Sequence, residues 1–133
     1  MNTTTRTLGI ATVALALVGS AAAFAPAEAK GNGAVSKRVS CSAHRTVATL
    51  KAKPRNGVLE VEMEVDSNRN GQRWSYTLRH DGSLVATGRR TTLAPSGSFT
   101  VRRTMRDAAG AHRVTATAKN LRTGETCRVG ITI

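Results

Sequence analysis

The amino-acid sequence predicts an all-β protein, an antiparallel sandwich or barrel of roughly seven or eight short strands, preceded by an export signal. Three observations predict this fold class. Beyond residue 37, nearly every segment alternates polar and apolar side chains with a period of two, as strands with one buried face do. Turn sequences recur about every eight to twelve residues. No segment there has the period of an amphipathic helix.

The N-terminal segment, residues 1–29, has the features of a signal peptide. An alanine-rich apolar run extends from Leu8 to Ala25, and small residues follow at Ala27 and Ala29, the positions that a signal peptidase inspects. We therefore predict cleavage after Ala29 and a bacterial-type product that is secreted, or held at the cell surface, with no membrane span. The alternative is an uncleaved anchor, because about 18 apolar residues lie near the lower limit for spanning.

The remainder of the chain is long enough for one domain and too short for two. Residues 30–37 are predicted to form a flexible lead-in, because glycine, asparagine and lysine there have nothing to bury. Residues 38–133 are predicted to form the domain. Its expected strands are, in chain order, 38–43, 46–51, 58–66, 72–80, 84–88, 98–106, 111–119 and 125–133.

The first two strands are irregular, and the third is the clearest in the chain. Arg38–Ala43 contains Cys41, and Thr46–Lys51 stops short of Pro54. In Val58–Asp66, four apolar residues alternate with four acidic ones, so one face is buried and the other is negatively charged. The apolar residues are Leu59, Val61, Met63 and Val65, and the acidic residues are Glu60, Glu62, Glu64 and Asp66.

The fourth and fifth strands are predicted to form a hairpin. Gln72–His80 alternates regularly, and its inner face carries Trp74, Tyr76 and Leu78. The dipeptide Asp81-Gly82 is a tight-turn sequence, so Leu84–Gly88 is expected to return beside the fourth strand.

The last three strands follow a second turn, Pro95-Ser96-Gly97. In Ser98–Arg106, Arg103 occupies an inward position, which indicates either a bulge or an edge strand. The segments 111–119 and 125–133 alternate without interruption, which predicts two further strands with one buried face each.

The chain has two cysteines, Cys41 and Cys127, and both lie in the predicted domain. Thiols of exported proteins tend to oxidise, so we predict a disulfide between them. It would close a loop of about 87 residues and stabilise the fold by roughly 4 to 5 kcal/mol on chain-entropy arguments. This contribution matters because only 3% of the residues are aromatic, and the core must be built from smaller side chains.

The sequence contains no catalytic or cofactor motif, so we expect no enzymatic activity, no cofactor and no metal site. His44, His80 and His112 are isolated in sequence, and the inward position of His112 favours a hydrogen-bonded core residue. A hydrolase would require His44 or His80 to lie beside a carboxylate and a serine. Asp66–Gly71 matches the opening of a calcium loop, but Thr77 stands where that loop needs glutamate, and an Asn-Gly turn explains the same residues.

The stretch Asp107–Ala118, followed by Asn120–Glu125, resembles the corner, sixth strand and final hairpin of immunoglobulin-like domains, and Trp74 falls where their third strand carries a core tryptophan. The resemblance covers about a third of the domain. It differs from the family in having His112 where a corner tyrosine is usual and cysteines on the first and last strands. The implied fold is an immunoglobulin-like antiparallel β-sandwich. One sheet would pair 58–66 with 98–106, and the other would contain 72–80, 111–119 and 125–133.

The formal charge is +12, and fifteen of the twenty basic residues are arginine. Such a surplus attracts polyanions, and arginine binds phosphate and carboxylate groups through its planar fork. In the implied topology, Arg102 and Arg106 neutralise the acidic face of 58–66 as cross-strand pairs. The opposite sheet then presents outward basic residues with no acid among them: Arg73, Arg79, Arg113, Lys119 and Arg128.

These five residues predict a secreted, non-enzymatic domain that associates electrostatically with an anionic polymer: a cell-wall polymer, extracellular nucleic acid or an acidic glycan. Sequence-specific recognition of nucleic acid is not expected, because Trp74 and Tyr76 face inward and leave no stacking platform. The alternative is a small extracellular carrier or protein inhibitor that binds a compact ligand or partner protein in a cleft or on loops such as Asn68–Gly71 and Ala94–Gly97. The sequence leaves the oligomeric state open.

Overall fold

Eight antiparallel strands and no helix make up residues 33–133, the part of the chain described by this computed structural model. The signal peptide predicted over 1–29 lies outside these residues, as does the start of the predicted lead-in. None of the described residues belongs to a helix of the length and hydropathy that crossing a membrane requires. The strands are β1 (Val35–Ser40), β2 (Val47–Arg55), β3 (Val58–Asp66), β4 (Arg73–His80), β5 (Ser83–Thr91), β6 (Ser98–Arg106), β7 (Arg113–Asn120) and β8 (Thr126–Thr132).

The strands form two four-stranded sheets packed as a sandwich, which confirms the all-β prediction. The first sheet has the order β1-β2-β3-β6, and the second has the order β5-β4-β7-β8. The predicted pairing of β3 with β6 is present, and so is the predicted grouping of β4, β7 and β8. The chain crosses between the sheets after β3, β5 and β6, so each sheet contains strands that are distant in sequence.

Two hairpins close with turns whose central residues have positive φ. β2 turns into β3 at Asn56 and Gly57, with φ of 50° and 79°, and β4 turns into β5 at Asp81 and Gly82, with φ of 48° and 83°. Positive φ at both central positions matches the twist of paired strands, and Asn-Gly and Asp-Gly are the sequences that adopt it most readily. The predicted Asp81-Gly82 turn is therefore confirmed.

Three strands extend beyond their predicted bounds, while β1 ends at Ser40, before Cys41, and β7 begins at Arg113 rather than at residue 111. β1 begins at Val35 rather than at residue 38, because Val35 and Val39 lie on the same face of one strand and both pack against the core. β2 continues through Pro54, which is tolerated because β1 pairs with β2 only as far as Ala52 and needs no N–H beyond it. β5 extends past its predicted end to Thr91, where it still pairs with β4.

The core lies between the sheets and receives the inward residues of both. Trp74, Leu50 and Leu59 are fully buried at its centre. The alternation predicted for β3 is confirmed, since its four apolar side chains are buried and its acidic side chains point outward. Burying these apolar side chains contributes about 25 cal/mol per Å² of area removed from water, which is the main force holding the sheets together.

The two open sides of the sandwich are closed in different ways. Where β1 and β8 meet, the predicted disulfide joins Cys41 to Cys127, whose Cα atoms lie 4.4 Å apart. On the other side, Arg103 of β6 donates a hydrogen bond of 3.4 Å to the Tyr76 hydroxyl, and the Arg90 guanidinium lies over the Tyr76 ring. β6 pairs with β3 in unbroken register and forms the edge of its sheet. Of the two explanations for Arg103, the edge strand is therefore correct.

Candidate functional site

The outer surface of the second sheet carries all five residues that the sequence predicts for binding, and we name it the basic face. Along β4, burial of Trp74, Tyr76 and Leu78 turns the intervening side chains to solvent. β7 and β8 alternate in the same way. The five residues are all exposed: Arg73 and Arg79 on β4, Arg113 and Lys119 on β7, and Arg128 on β8.

A sixth cation, Arg89 of β5, belongs to the basic face. It lies opposite Ser75 of β4, whose partner on the other side is Lys119 of β7. The predicted end of β5 excludes Arg89 from the sheet. The signal that could have included it is the continued alternation of β5, in which Ala86 is buried and Thr87 and Arg89 are exposed.

Within the described part of the chain, no carboxylate forms an ion pair with the basic face. The sequence has eight acidic residues, and Glu28 lies outside the described range. Of the remaining seven, four lie on the outer face of β3 in the other sheet, and two lie beside His112. The last, Glu125, immediately precedes β8. The positive charge of the basic face is therefore uncompensated by direct pairing.

The acidic face of the first sheet is compensated in part, because Glu60 and Glu62 form ion pairs with cations of the neighbouring strands. Glu62 of β3 contacts Arg102 of β6, with Nε and Oε2 2.8 Å apart, and Lys51 of β2, with Nζ and Oε1 4.0 Å apart. The prediction for Arg102 is confirmed. The prediction for Arg106 is wrong, because the register places it opposite Val58 rather than opposite an acidic residue.

Three arginines of the basic face surround a groove of about 310 Å³, which we name the arginine groove. At Gly130 of β8, an added Cβ would lie 3.1 Å from Arg113 Nη2 and 3.3 Å from Thr115 Cγ2. The missing side chain therefore gives the Arg113 guanidinium room to lie against the sheet. Guanidinium forks with neighbouring hydroxyls and no carboxylate form a donor set suited to an oxyanion. Besides Gly130, the lining residues are Thr77, Arg79, Arg113, Thr115, Thr117 and Arg128.

A second polar constellation, the histidine cluster, consists of His80, Asp81 and His112. His80 Nε2 lies 3.1 Å from His112 Nδ1. Asp81 Oδ2 lies 3.5 Å from the His80 nitrogen and 3.4 Å from the His112 nitrogen. His112 Nε2 donates to the Ala108 carbonyl, and Asp81 Oδ1 accepts a 2.7 Å hydrogen bond from the Arg113 backbone N–H. The cluster is therefore held by backbone groups on both sides.

These backbone contacts shift the protonation of the cluster. The hydrogen bond to Ala108 raises the pKa of His112 above its ordinary value, an effect that burial opposes and the Asp81 carboxylate reinforces. The Arg113 N–H lowers the pKa of Asp81, because it stabilises the ionised carboxylate. His112 is buried, as its inward position predicted.

The histidines from which a hydrolase site was considered lie in two different places in the fold. His80 lies beside Asp81, but no hydrogen bond within residues 33–133 joins a serine to His80 or His112. His44 lies in the β1–β2 loop, remote in the fold from the histidine cluster, since that loop is at the other end of the strands. The proximity of His80 and His112 was not recognised from the sequence. The predicted grouping of β4 and β7 in one sheet carries part of the signal, and the observed pairing of His80 with Val114 completes it.

The end of the sandwich opposite the histidine cluster holds the loops named for the alternative function. Ser67 donates to the Gly97 carbonyl from both its backbone N–H and its hydroxyl, each over 3.1 Å, so the two loops are tied together. Asp66 Oδ1 accepts from the Asn68 N–H, as the turn interpretation of this segment requires. A groove of about 670 Å³ lies beside these loops, and Leu121 is the one large apolar residue among those that line it.

The described residues thus contain an uncompensated cationic sheet face with a groove in it, a cluster of two imidazoles and a carboxylate, and a polar groove between loops. These features differ in chemistry. The first presents only hydrogen-bond donors and hydroxyls, whereas the second presents electron-pair donors. Comparison of the chain with protein-family models, with curated proteins and with solved structures gave no match.

Proposed function

We propose that this chain is a secreted, non-enzymatic domain of immunoglobulin-like topology that associates electrostatically with an anionic polymer through the basic face. The observation that carries the proposal is the segregation of charge. Six exposed cations share the outer surface of one sheet, while the acidic residues of β3 lie on the other. The partners are polymers at or outside the cell surface: a cell-wall polymer, extracellular nucleic acid or an acidic glycan.

The strand order supports the immunoglobulin-like part of the proposal. Four strands, β4, β5, β7 and β8, form one sheet, and the buried Trp74 lies on β4, the counterpart of the tryptophan-bearing strand of that family. Secretion is supported by the Cys41–Cys127 disulfide, since such bonds persist in oxidising compartments, and by the apolar run that precedes the domain.

The geometry of a sheet suits a repeating anion. Outward side chains recur about every 6.8 Å along a strand and about 4.8 Å across the sheet. The cations of the basic face are therefore spread over the surface of the sheet and are not gathered at one point. A polymer lying on this surface would contact several guanidinium groups at once, and each contact would release condensed counterions. The threonines between the arginines, such as Thr77 and Thr117, would supply neutral hydrogen bonds to the same anions.

The basic face is suited to the charged backbone of a polymer rather than to bases. Trp74 is fully buried and Tyr76 is 2% exposed, so neither ring is offered to solvent for stacking. Contacts to phosphate, sulfate or carboxylate groups position a polymer without reading its sequence. We therefore expect similar affinity for polyanions that share charge density and differ in chemical identity.

The test compares two variants that lose the same charge from different faces. The face variant replaces five residues of the basic face by serine: Arg73, Arg79, Arg113, Lys119 and Arg128. The control variant replaces five residues on the outer face of the first sheet by serine: Arg38, Lys51, Arg55, Arg102 and Arg106. Each set removes four arginines and one lysine. Retention on a heparin column and anisotropy titration with fluorescent polyphosphate measure binding at several salt concentrations.

For the unmodified protein we expect the logarithm of the affinity to fall with the logarithm of salt with a slope of about −4 to −5, as for five or six anion contacts. The face variant is expected to lose at least about tenfold in affinity and most of the slope. The control variant is expected to bind as the unmodified protein does. Unchanged binding by the face variant, or equal losses in both variants, would contradict the proposal.

The groove beside Leu121 favours a second candidate, the extracellular carrier or inhibitor. Its volume of about 670 Å³ is large enough for a compact ligand. However, the residues that line it are mostly polar or charged, and Leu121 is the one large apolar side chain among them. A partner recovered from culture medium that stays bound at high salt would favour this function over polymer binding.

A further inference from the structure

The histidine cluster combines two imidazoles and a carboxylate at the spacing of a metal site. The three ligand atoms, His80 Nε2, His112 Nδ1 and Asp81 Oδ2, are separated by 3.1, 3.4 and 3.5 Å. Tetrahedral zinc has ligands at about 2.0 to 2.2 Å, so its ligand atoms lie about 3.3 to 3.6 Å from one another. An ion about 2 Å from all three atoms would require almost no change in their spacing.

Each ligand of known metal sites is usually oriented by a further hydrogen bond, and this cluster has such bonds. His112 Nε2 donates to the Ala108 carbonyl and lies 3.5 Å from Asp107 Oδ1. In the neutral ring the proton is therefore on Nε2, and the Nδ1 lone pair faces the cluster. Asp81 Oδ1 is engaged by the Arg113 N–H, which leaves Oδ2 for an ion. Backbone carbonyl and carboxylate partners of this kind raise the basicity of the ligand and fix its tautomer.

The backbone around the cluster is held by hydrogen bonds. His112 and Ile133 exchange two backbone hydrogen bonds of 2.8 and 2.9 Å, and Asp81 N donates to Arg113 O over 2.8 Å. His80 is the last residue of β4, so all three ligands are anchored to the second sheet. Ligands on sheet strands and their turns need less ordering on binding than ligands on free loops. Asp81 is about half exposed, which gives an ion access from solvent.

We propose that His80, Asp81 and His112 form a three-ligand site for a divalent transition metal of the zinc type, with the fourth coordination position open to water. The donor set selects this class, because imidazole nitrogen suits zinc, copper and nickel, whereas calcium and magnesium prefer oxygen ligands throughout. The sequence alone predicts no metal site, since it shows the ligands as one adjacent pair and a third residue far along the chain. The proposal does not depend on polymer binding.

The experiment titrates Zn²⁺ into the purified, chelator-treated protein by isothermal calorimetry, with Co²⁺ absorption as a second readout of coordination geometry. His80→Ala and Asp81→Asn each remove one ligand, and Asp81→Asn keeps an oxygen that can accept from Arg113. His44→Ala is the matched control, because it removes an exposed histidine outside the cluster. Circular dichroism of every variant verifies that the β-sheet spectrum is retained.

We expect one Zn²⁺ to bind per chain, with affinity at least about tenfold weaker in His80→Ala and in Asp81→Asn and unchanged in His44→Ala. Bound zinc should also raise the unfolding temperature of the unmodified protein more than that of His80→Ala, because binding to the folded state alone stabilises it. Failure to observe saturable binding up to about 100 μM Zn²⁺, or equal affinity in His80→Ala and the unmodified protein, would overturn the proposal.

Discussion

Gly97 shows how closely the loops at one end of the sandwich approach each other. Its φ is +70°, and an added Cβ would lie only 2.2 Å from Arg69 N, a backbone atom of the neighbouring loop. Gly57 has a similar φ of +79° but nothing within 4 Å of an added Cβ. Substitutions at the two glycines therefore distinguish the free-energy cost of a left-handed backbone from the additional cost of a steric clash.

We predict that Gly57→Ala lowers the free energy of unfolding by about 1 to 2 kcal/mol, the strain of placing alanine at positive φ. Gly97→Ala is expected to cost about 2 kcal/mol more, because the backbone at Arg69 must move as well. Urea unfolding followed by tryptophan fluorescence measures both. Equal losses in the two variants would mean that the loops separate freely and that the close approach has no energetic weight.

Arg103 interrupts the apolar inward face of β6, and its position at the edge of the sheet explains why. It points inward on β6, yet it remains exposed because β6 is an edge strand. Its guanidinium reaches the Tyr76 hydroxyl, so the charge stays in water while the hydroxyl gains a donor.

Among the elements, β3 owes its placement to charge as well as to its apolar face. Glu62 lies between Lys51 of β2 and Arg102 of β6, and Arg55 of β2 contacts Glu60. The exposure of these side chains runs from 30% at Glu62 to 75% at Arg102, so each pair is worth only a few tenths of a kcal/mol to about 1 kcal/mol. The acidic side chains of β3 also specify its register, because a shift by one residue would place them in the core.

We predict that a double-mutant cycle of Glu62→Gln and Arg102→Gln gives a coupling energy of about 0.2 to 1 kcal/mol in favour of the pair. The coupling should shrink in high salt, because the pair is exposed and screened. The cycle is measured by urea unfolding at low and high sodium chloride. Coupling of zero at low salt would show that the 2.8 Å contact contributes nothing to stability.

The four edge strands share a feature that opposes aggregation rather than stabilises the fold. All four of them carry exposed arginines, among them Arg38 on β1, Arg90 on β5, Arg103 on β6 and Arg128 on β8. Charges on edges oppose pairing with the edge of another molecule. Part of the surplus positive charge thus lies on sheet edges, and Arg128 belongs both to such an edge and to the basic face.

For the whole molecule, the disulfide is the largest single constraint on the unfolded chain. It joins residues 86 positions apart and closes the side where β1 meets β8. The aromatic content is only 3%, so the core gains less from large side chains than that of most domains of this size. The cross-link compensates by reducing the conformational freedom of the unfolded state.

We predict that replacing Cys41 and Cys127 together by serine lowers the free energy of unfolding by about 4 to 5 kcal/mol. Urea unfolding of the variant and of the oxidised protein measures the difference, and the reduced unmodified protein serves as the control for the side-chain change. A loss below about 1 kcal/mol would show that the unfolded chain is already compact enough to make the cross-link redundant.

Much of the fold follows from the sequence because its determinants are local. Period-two alternation places Trp74 and the apolar residues of β3 inside, and Asp81-Gly82 specifies a hairpin turn by its own backbone preferences. The composition likewise indicates a disulfide, because two cysteines of one domain have a single way to pair. The alternation and the turn depend on near neighbours along the chain, and the cysteine pairing depends only on the number of cysteines.

The site depends instead on which strands are adjacent and in what register. Register decides that Arg106 faces Val58 and that Arg89 joins the basic face, and it brings His112 to within 3.1 Å of His80. The sequence by itself therefore determined the strands, their inner faces and the cross-link. Only the tertiary structure decided the arginine groove and the histidine cluster, because contacts between distant residues arise when whole strands pair and cannot be read from either strand alone.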